Sequence, residues 1–172
     1  MEALADLLDR INRTTGLVIR WCAVAMVALQ FVIVLLRYVF GISFIFLDEG
    51  VLYLHCMIFM LGAGYTLLVN GHVRVDIFYS RLSPSGQARI NILGATLALL
   101  PGAVAIAWFT LPFVANSWKN LDGAISVGGI PATFLLKTLI PAFCLLLFLQ
   151  GLSCLLRDIL RLRPRGGKAR TG

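Results

Sequence analysis

The sequence predicts an all-α integral membrane protein with four transmembrane helices and an N-terminal amphipathic helix at the membrane interface. Of the 172 residues, 59% are hydrophobic and only 13% are charged, whereas soluble domains carry about a quarter charged residues. The apolar residues are concentrated in long uncharged segments, and about 20 helical residues cross the roughly 30 Å hydrocarbon core of a bilayer. We therefore expect a single membrane domain, residues 1–172.

The N-terminal segment, residues 1–15, has the pattern of an amphipathic helix. Its apolar residues recur at helical spacing with charged residues between them, namely Leu4, Leu7, Leu8 and Ile11. Such a helix is expected to lie on the membrane surface. A first span at about 17–38 follows, and it closes with Arg37 and Tyr38, residue types that suit a membrane interface.

The second span, about 49–69, begins beside two acidic residues, Asp48 and Glu49. A helix N-terminus favours negative charge, so one interpretation is simple capping. The other is an ion pair with Arg37 that locks the two helices together or meets a partner subunit. Within this span, Gly62 belongs to a Gly-Ala-Gly sequence that would let another helix approach closely.

A polar run follows the second span, in which His72, Arg74 and Asp76 alternate with valines. This pattern fits an extended interfacial segment with its polar groups in water. It equally fits a docking surface for another membrane helix. A proton relay would need a substrate pocket, which the pattern does not supply.

Two further spans are predicted in the second half of the chain. Ser83-Pro84 matches a helix N-cap followed by proline at the first helical position, so the third span covers about 84–117. Pro131 is expected to open the fourth span, about 131–156. The remaining residues, 157–172, form a basic tail.

The distribution of Lys and Arg predicts the orientation of the chain. Three of these residues precede or open the first span, three lie in 70–89 and six lie in the tail, whereas the other two loops contain only Arg37 and Lys119. This asymmetry places the N-terminus, the C-terminus and the 70–89 connection in the cytoplasm. The net charge of +7 then suits membrane lipids, and no nucleic-acid partner is expected.

Nothing in the pattern favours an enzyme, a cofactor or a metal. Walker, GxSxG and HExxH motifs are absent, and the four cysteines lie in apolar spans without metal-ligand spacing. The alternative class is a membrane anchor of a respiratory cytochrome complex. It needs paired axial histidines, yet the two histidines, His55 and His72, are separated by about 25 Å of helix. A hydrogen-bonded core or interface residue is therefore the preferred interpretation of His55.

Several of these residues together resemble the small (Q-type) membrane subunit of tripartite ATP-independent periplasmic (TRAP) transporters. The resemblance runs from about residue 10 to 157. It depends on the order of short motifs, which are Arg37-Tyr38, Asp48-Glu49, Gly62, His72-Val73-x-Val75-Asp76, Ser126, Ile130-Pro131 and Pro141. The Gly128-Gly129-Ile130-Pro131 stretch is most similar to the branch associated with mannitol, chloroaromatic compounds and 2-oxo acids.

The resemblance implies a non-catalytic subunit of a secondary transporter in the bacterial inner membrane. A periplasmic binding protein would deliver an organic, usually carboxylate, anion to a large elevator-type permease subunit that holds the sodium sites. The small subunit would be a static scaffold beside the permease. Its partner-interface or membrane-anchoring residues are then expected to be Arg37, Tyr38, Asp48, Glu49, Gly62, His72, Arg74, Asp76 and Pro131.

Overall fold

The fold was analysed in a computed structural model that describes residues 2–71, 79 and 81–162. The described residues form helices without any strand. Within the described ranges, four helices are long and apolar enough to cross a membrane. They are α1 (Glu2–Phe40), α2 (Ile45–Leu68), α3 (Pro84–Asn120) and α4 (Thr133–Leu162). The predicted fold class is therefore confirmed.

The helices pack around α4, which contacts the other three. α1 and α2 lie side by side along much of their length, and both also contact α4. α3 packs mainly against α4, on a different side from the α1–α2 pair. Few of the described side chains are fully buried as a result, and many large apolar residues of the spans are exposed, as expected for helices whose solvent is lipid.

The predicted boundary between an amphipathic helix at 1–15 and a first span at 17 does not exist in the structure. Glu2–Phe40 is one continuous helix of 39 residues. Gly16 does not break it, and a Cβ at this position would overlap the ring of Tyr65 in α2. The N-terminal part of α1 also buries Ala5 and Asn12 within the bundle, so it has a packed face against protein.

The connection between α1 and α2 is shorter than the sequence suggested. Gly41 has a φ of +67°, the left-handed conformation in which glycine commonly ends a helix. α2 then begins at Ile45, so Asp48 lies in its first turn and Glu49 follows on the next residue. Both acids are part of the helix, and they point in different directions.

α3 contains an irregular turn close to a proline. Ser83 caps the helix by accepting a hydrogen bond from the Gly86 N–H at 3.3 Å, as the Ser-Pro sequence predicts. Ala95–Leu99 forms a π-helical turn two residues before Pro101. Proline lacks an N–H and its ring clashes with the carbonyl one turn earlier, and a wider π-helical turn accommodates such a residue.

Candidate functional site

The polar contacts of the protein are concentrated at the two ends of the bundle. The loop end comprises residues 41–44, the loop 121–132 between α3 and α4, and the helix termini beside them. The terminal end comprises the N-terminus of α1 and the C-terminus of α4. The residues predicted from the sequence fall mostly at the loop end.

Glu49 is the central residue of the loop end. Its side chain is buried, with only 6% of the residue exposed. One carboxylate oxygen accepts the Ser126 N–H at 2.9 Å and the other accepts the Ile130 N–H at 2.7 Å. Charge-assisted bonds of this kind are about twice as strong as neutral ones. Glu49 therefore fastens α2 to the 121–132 loop.

Two glycines shape the loop around this carboxylate. The Gly129 N–H donates to the Ser126 carbonyl at 3.0 Å, which closes a tight turn. Gly128 has a φ of +83°, the conformation that a type II turn requires at its third residue. A Cβ on Gly129 would overlap the carboxylate of Glu49, so the loop and the acid fit only with glycine here.

A second group of contacts holds the loop to α3 and α4. Lys137 Nζ lies 2.6 Å from Asp122 Oδ2, and the Ser117 hydroxyl donates to the same oxygen at 2.6 Å. The bonds from Lys137 and Ser117 lower the pKa of Asp122 below its ordinary value. Lys137 therefore joins α4 to a carboxylate of the loop.

Arg37 and Asp48 also meet at the loop end. Arg37 Nη2 lies 3.6 Å from Asp48 Oδ2, with about half of each side chain exposed. Of the two interpretations of the acidic pair, the ion pair between the first two spans occurs at Asp48, and Glu49 has separate partners. Tyr38 is 82% exposed. Exposed pairs of this kind contribute little to stability, about 0–1 kcal/mol.

The terminal end contains a charged cluster that the sequence analysis did not identify. Asp9 of α1 accepts hydrogen bonds from three residues of α4, namely Gln150, Ser153 and Arg157. Arg157 also bonds Asp6 at 2.8 Å. Gln150 is 1% exposed and Ser153 is fully buried. These residues, the Asp9 cluster, tie the first helix to the last.

Next to this cluster, three helices meet at one point. Asn12 of α1 donates from its side-chain amide to the Leu146 carbonyl of α4 at 3.4 Å. A Cβ on Gly64 of α2 would overlap Asn12 Oδ1 and lie 3.2 Å from that carbonyl. The close approach predicted for the Gly-Ala-Gly sequence therefore occurs at Gly64. Gly62 has no atom of the described chain within 4 Å of its Cβ position.

A cavity of ≈ 1030 Å³ lies beside the Asp9 cluster. Gly94, Ala95 and Ala98 of α3 leave room on one side, and Asp9, Gln150 and Arg157 line another. The space is large enough for water to reach these charged groups. Charged residues within membrane helices usually face such a cavity.

Three of the predicted site residues lie outside the described residues, namely His72, Arg74 and Asp76. Pro131 is not the first residue of the fourth helix, which begins at Thr133, because residues 126–130 are held in the loop by Glu49. Gln150, Ser153 and Asn12 were missed, although a polar side chain inside an apolar span is itself a signal of internal packing.

No cluster of His, Cys, Asp and Glu suited to a metal ion occurs in the described part of the chain. None of the four cysteines forms a disulfide bond within that part of the chain. Polar groups at the two ends instead join helix to helix and helix to loop. The arrangement is that of a multi-pass helical membrane protein whose charged residues stabilise the bundle.

Comparison with known proteins identifies the family. The model of the DctQ component of tripartite ATP-independent periplasmic transporters matches residues 26–161. This chain belongs to that family and is a small permease subunit of a TRAP transporter. No curated protein matches the chain.

Proposed function

We propose that this chain is the static scaffold beside the large permease subunit of a sodium-driven TRAP transporter. The transported molecule would be an organic anion, typically a carboxylate, delivered by a periplasmic binding protein. Sodium and substrate would bind in the large subunit. The family match supports a role as a transporter component.

The scaffold role is supported by the contacts that the polar side chains make between helices and loops of this chain. Glu49 fastens α2 to the loop, and Asp9 fastens α1 to α4. Both sets of contacts connect elements of this chain to each other. Bonds of this type resist relative movement of the helices, which is the property that a fixed wall beside a moving carrier needs.

The orientation follows from the charge distribution. The loop end, with Arg37, Asp48 and Glu49, would face the periplasm, and the Asp9 cluster would lie near the cytoplasm. His72, Arg74 and Asp76 would then face the large subunit or lipid headgroups on the cytoplasmic side. A reporter that is active only after export, fused behind Gly172, should be inactive. An active fusion would reverse the orientation.

Reconstitution tests the transport role. Proteoliposomes should contain this chain, the large subunit, or both, with the binding protein and a labelled carboxylate outside. We expect uptake only with both membrane subunits, the binding protein and an inward sodium gradient. Uptake by this chain alone, or equal uptake by the large subunit without it, would refute the proposal.

A further inference from the structure

One face of α2 presents exposed side chains, including those of Leu52, His55 and Phe59. Residues spaced alternately by three and four positions lie on one side of a helix. In α2 such a row lies apart from the residues that contact α1 and α4, and we call it the α2 stripe: Leu52, His55, Phe59, Gly62 and Thr66. Phe59 is 73% exposed and Leu52 is 41% exposed.

The opposite face of α2 accounts for the packing within the chain. Glu49 binds the 121–132 loop, Gly64 fits against Asn12, and Tyr65 packs over Gly16. Gly50 lies against Leu29, with its Cβ position 3.1 Å from the leucine side chain. The contacts of α2 with α1 and α4 therefore use a separate set of residues from the stripe.

His55 is the most informative member of the stripe. It is exposed and lies ten residues after Ile45, about 15 Å along the helix, near the middle of this 24-residue span. Within the described chain it has no hydrogen bond or ion pair. An imidazole facing hydrocarbon without a partner costs free energy, because lipid tails cannot replace its bonds to water.

Gly62 supplies a second, independent observation. A side chain there would meet nothing within 4 Å in the described chain, so the chain's own packing does not require a glycine. Glycine at a helix surface lets a second backbone approach closely in a membrane. Gly62 leaves a hollow on the surface of α2, and the exposed ring of Phe59 projects beside it. This shape suits packing against another helix.

We infer that the α2 stripe is the docking surface for a transmembrane helix of the large permease subunit. That helix would present a hydrogen-bonding side chain opposite His55 and a bulky apolar side chain opposite Gly62. The choice of this partner rests on the proposed function, since the family is one component of a three-part transporter. By contrast, the exposed face of α3 presents apolar side chains such as Val104 and Phe109, which lipid can cover.

Photo-crosslinking tests the contact directly. The full chain is co-expressed with the large subunit, and p-benzoylphenylalanine replaces Phe59 or, as the control, Phe109, which is 79% exposed on α3. Irradiation should join the subunits from position 59 and not from position 109. An adduct between two copies of this chain, or no protein adduct although the subunits co-purify, would overturn the inference.

Paired glycine variants test whether the stripe contributes to assembly. Gly62→Leu should lower recovery of the large subunit at least about tenfold, which corresponds to 1.4 kcal/mol. Gly102→Leu is the matched control, because its Cβ position also meets nothing within 4 Å. Equal recovery with both variants would contradict the inference. Failure of the unmodified subunits to co-purify would instead refute the proposed function itself.

Histidine variants test the polar contact. His55→Leu should reduce recovery of the large subunit, whereas His55→Gln, which keeps a donor and an acceptor, should restore part of it. The thermal stability of the isolated subunit should not fall with either variant, because His55 makes no bond within the described chain. Normal recovery with His55→Leu would show that the imidazole has no partner there.

Discussion

The carboxylate of Glu49 occupies the space that a side chain on residue 129 would need. The acid is on α2 and the glycine is in the loop before α4, 80 positions later in the sequence. Because the same carboxylate binds the N–H groups of Ser126 and Ile130, the loop is wrapped around it. Neither residue can be changed without disturbing the other.

Gly129→Ala should therefore destabilise the protein. The added Cβ would overlap the Glu49 carboxylate, and such overpacking costs about 1–3 kcal/mol. Gly123→Ala in the same loop is the control, since its Cβ position meets nothing within 4 Å. Thermal unfolding of the purified subunit should show a lower Tm only for Gly129→Ala. Equal Tm values would mean that the loop relaxes freely.

Glu49→Gln should destabilise the protein, whereas Asp48→Asn should have almost no effect on its stability. An amide can accept only one of the two backbone bonds, and its NH₂ group would face the other N–H. Losing a buried charged acceptor costs about 1.5–3 kcal/mol. The Asp48 carboxylate is about half exposed, so its loss should cost under about 1 kcal/mol. Similar Tm values for the two variants would contradict the different roles assigned to these neighbours.

The sequence was sufficient to predict the fold class and the approximate positions of the four helices. Apolar segments of bilayer length determine both, and local signals such as Ser83-Pro84 mark helix starts. An ion pair between Arg37 and the acidic pair was one of two interpretations that it left open. It could not distinguish Asp48 from Glu49, because adjacent residues of a helix differ in direction by about 100° and only the packed bundle decides which one is buried.

The Asp9 cluster was missed for a related reason. Asp9 and Gln150 are 141 positions apart in the sequence, and neither belongs to a motif. In isolation, Asp9 fits the polar face of an amphipathic surface helix. Its role depends on the packing of α1 against α4, which brings it within 2.9 Å of Gln150. Spacing along one helix carries no information about such a partner.

A double-mutant cycle should reveal the coupling between Asn12 and Gly64. Gly64→Ala introduces a Cβ that overlaps Asn12 Oδ1, so a loss of about 1–3 kcal/mol is expected. In an Asn12→Ala background the same change should cost less, with a coupling of at least about 0.5 kcal/mol. Chemical denaturation of the isolated subunit measures each corner of the cycle. Strict additivity would place Asn12 away from this contact.

Asp9 and Asp6 both pair with Arg157 but differ in exposure. Comparing them tests how burial changes the stability that each carboxylate contributes. The Asp9 side chain is 15% exposed and that of Asp6 is 68% exposed, although both pair with Arg157. Asp9→Ala removes the carboxylate acceptor of the buried Gln150 amide and one of the two acceptors of the Ser153 hydroxyl, and it should cost about 1–3 kcal/mol. Asp6→Ala should cost less than about 1 kcal/mol. Comparable Tm losses would show that the cluster is solvated like a surface pair.

The pairing of Asp122 with Lys137 predicts a dependence of stability on pH. The bonds from Lys137 and Ser117 lower the pKa of Asp122 from its ordinary value of 3.8 in the folded protein. A lowered pKa means that the ionised carboxylate stabilises the fold above the unfolded pKa. That contribution is lost as the pH falls through the lowered folded value.

The difference in Tm between the wild type and Asp122→Asn should consequently have its largest value at pH 7. It should shrink as the pH falls below 3.8. The amide in the variant does not titrate, so the change in the difference reports on Asp122. Asp48→Asn, at the exposed pair with Arg37, is the matched control and should show a smaller difference at pH 7. A difference for Asp122→Asn that stays constant from pH 7 into the acid range would mean that the ion pair does not stabilise the loop.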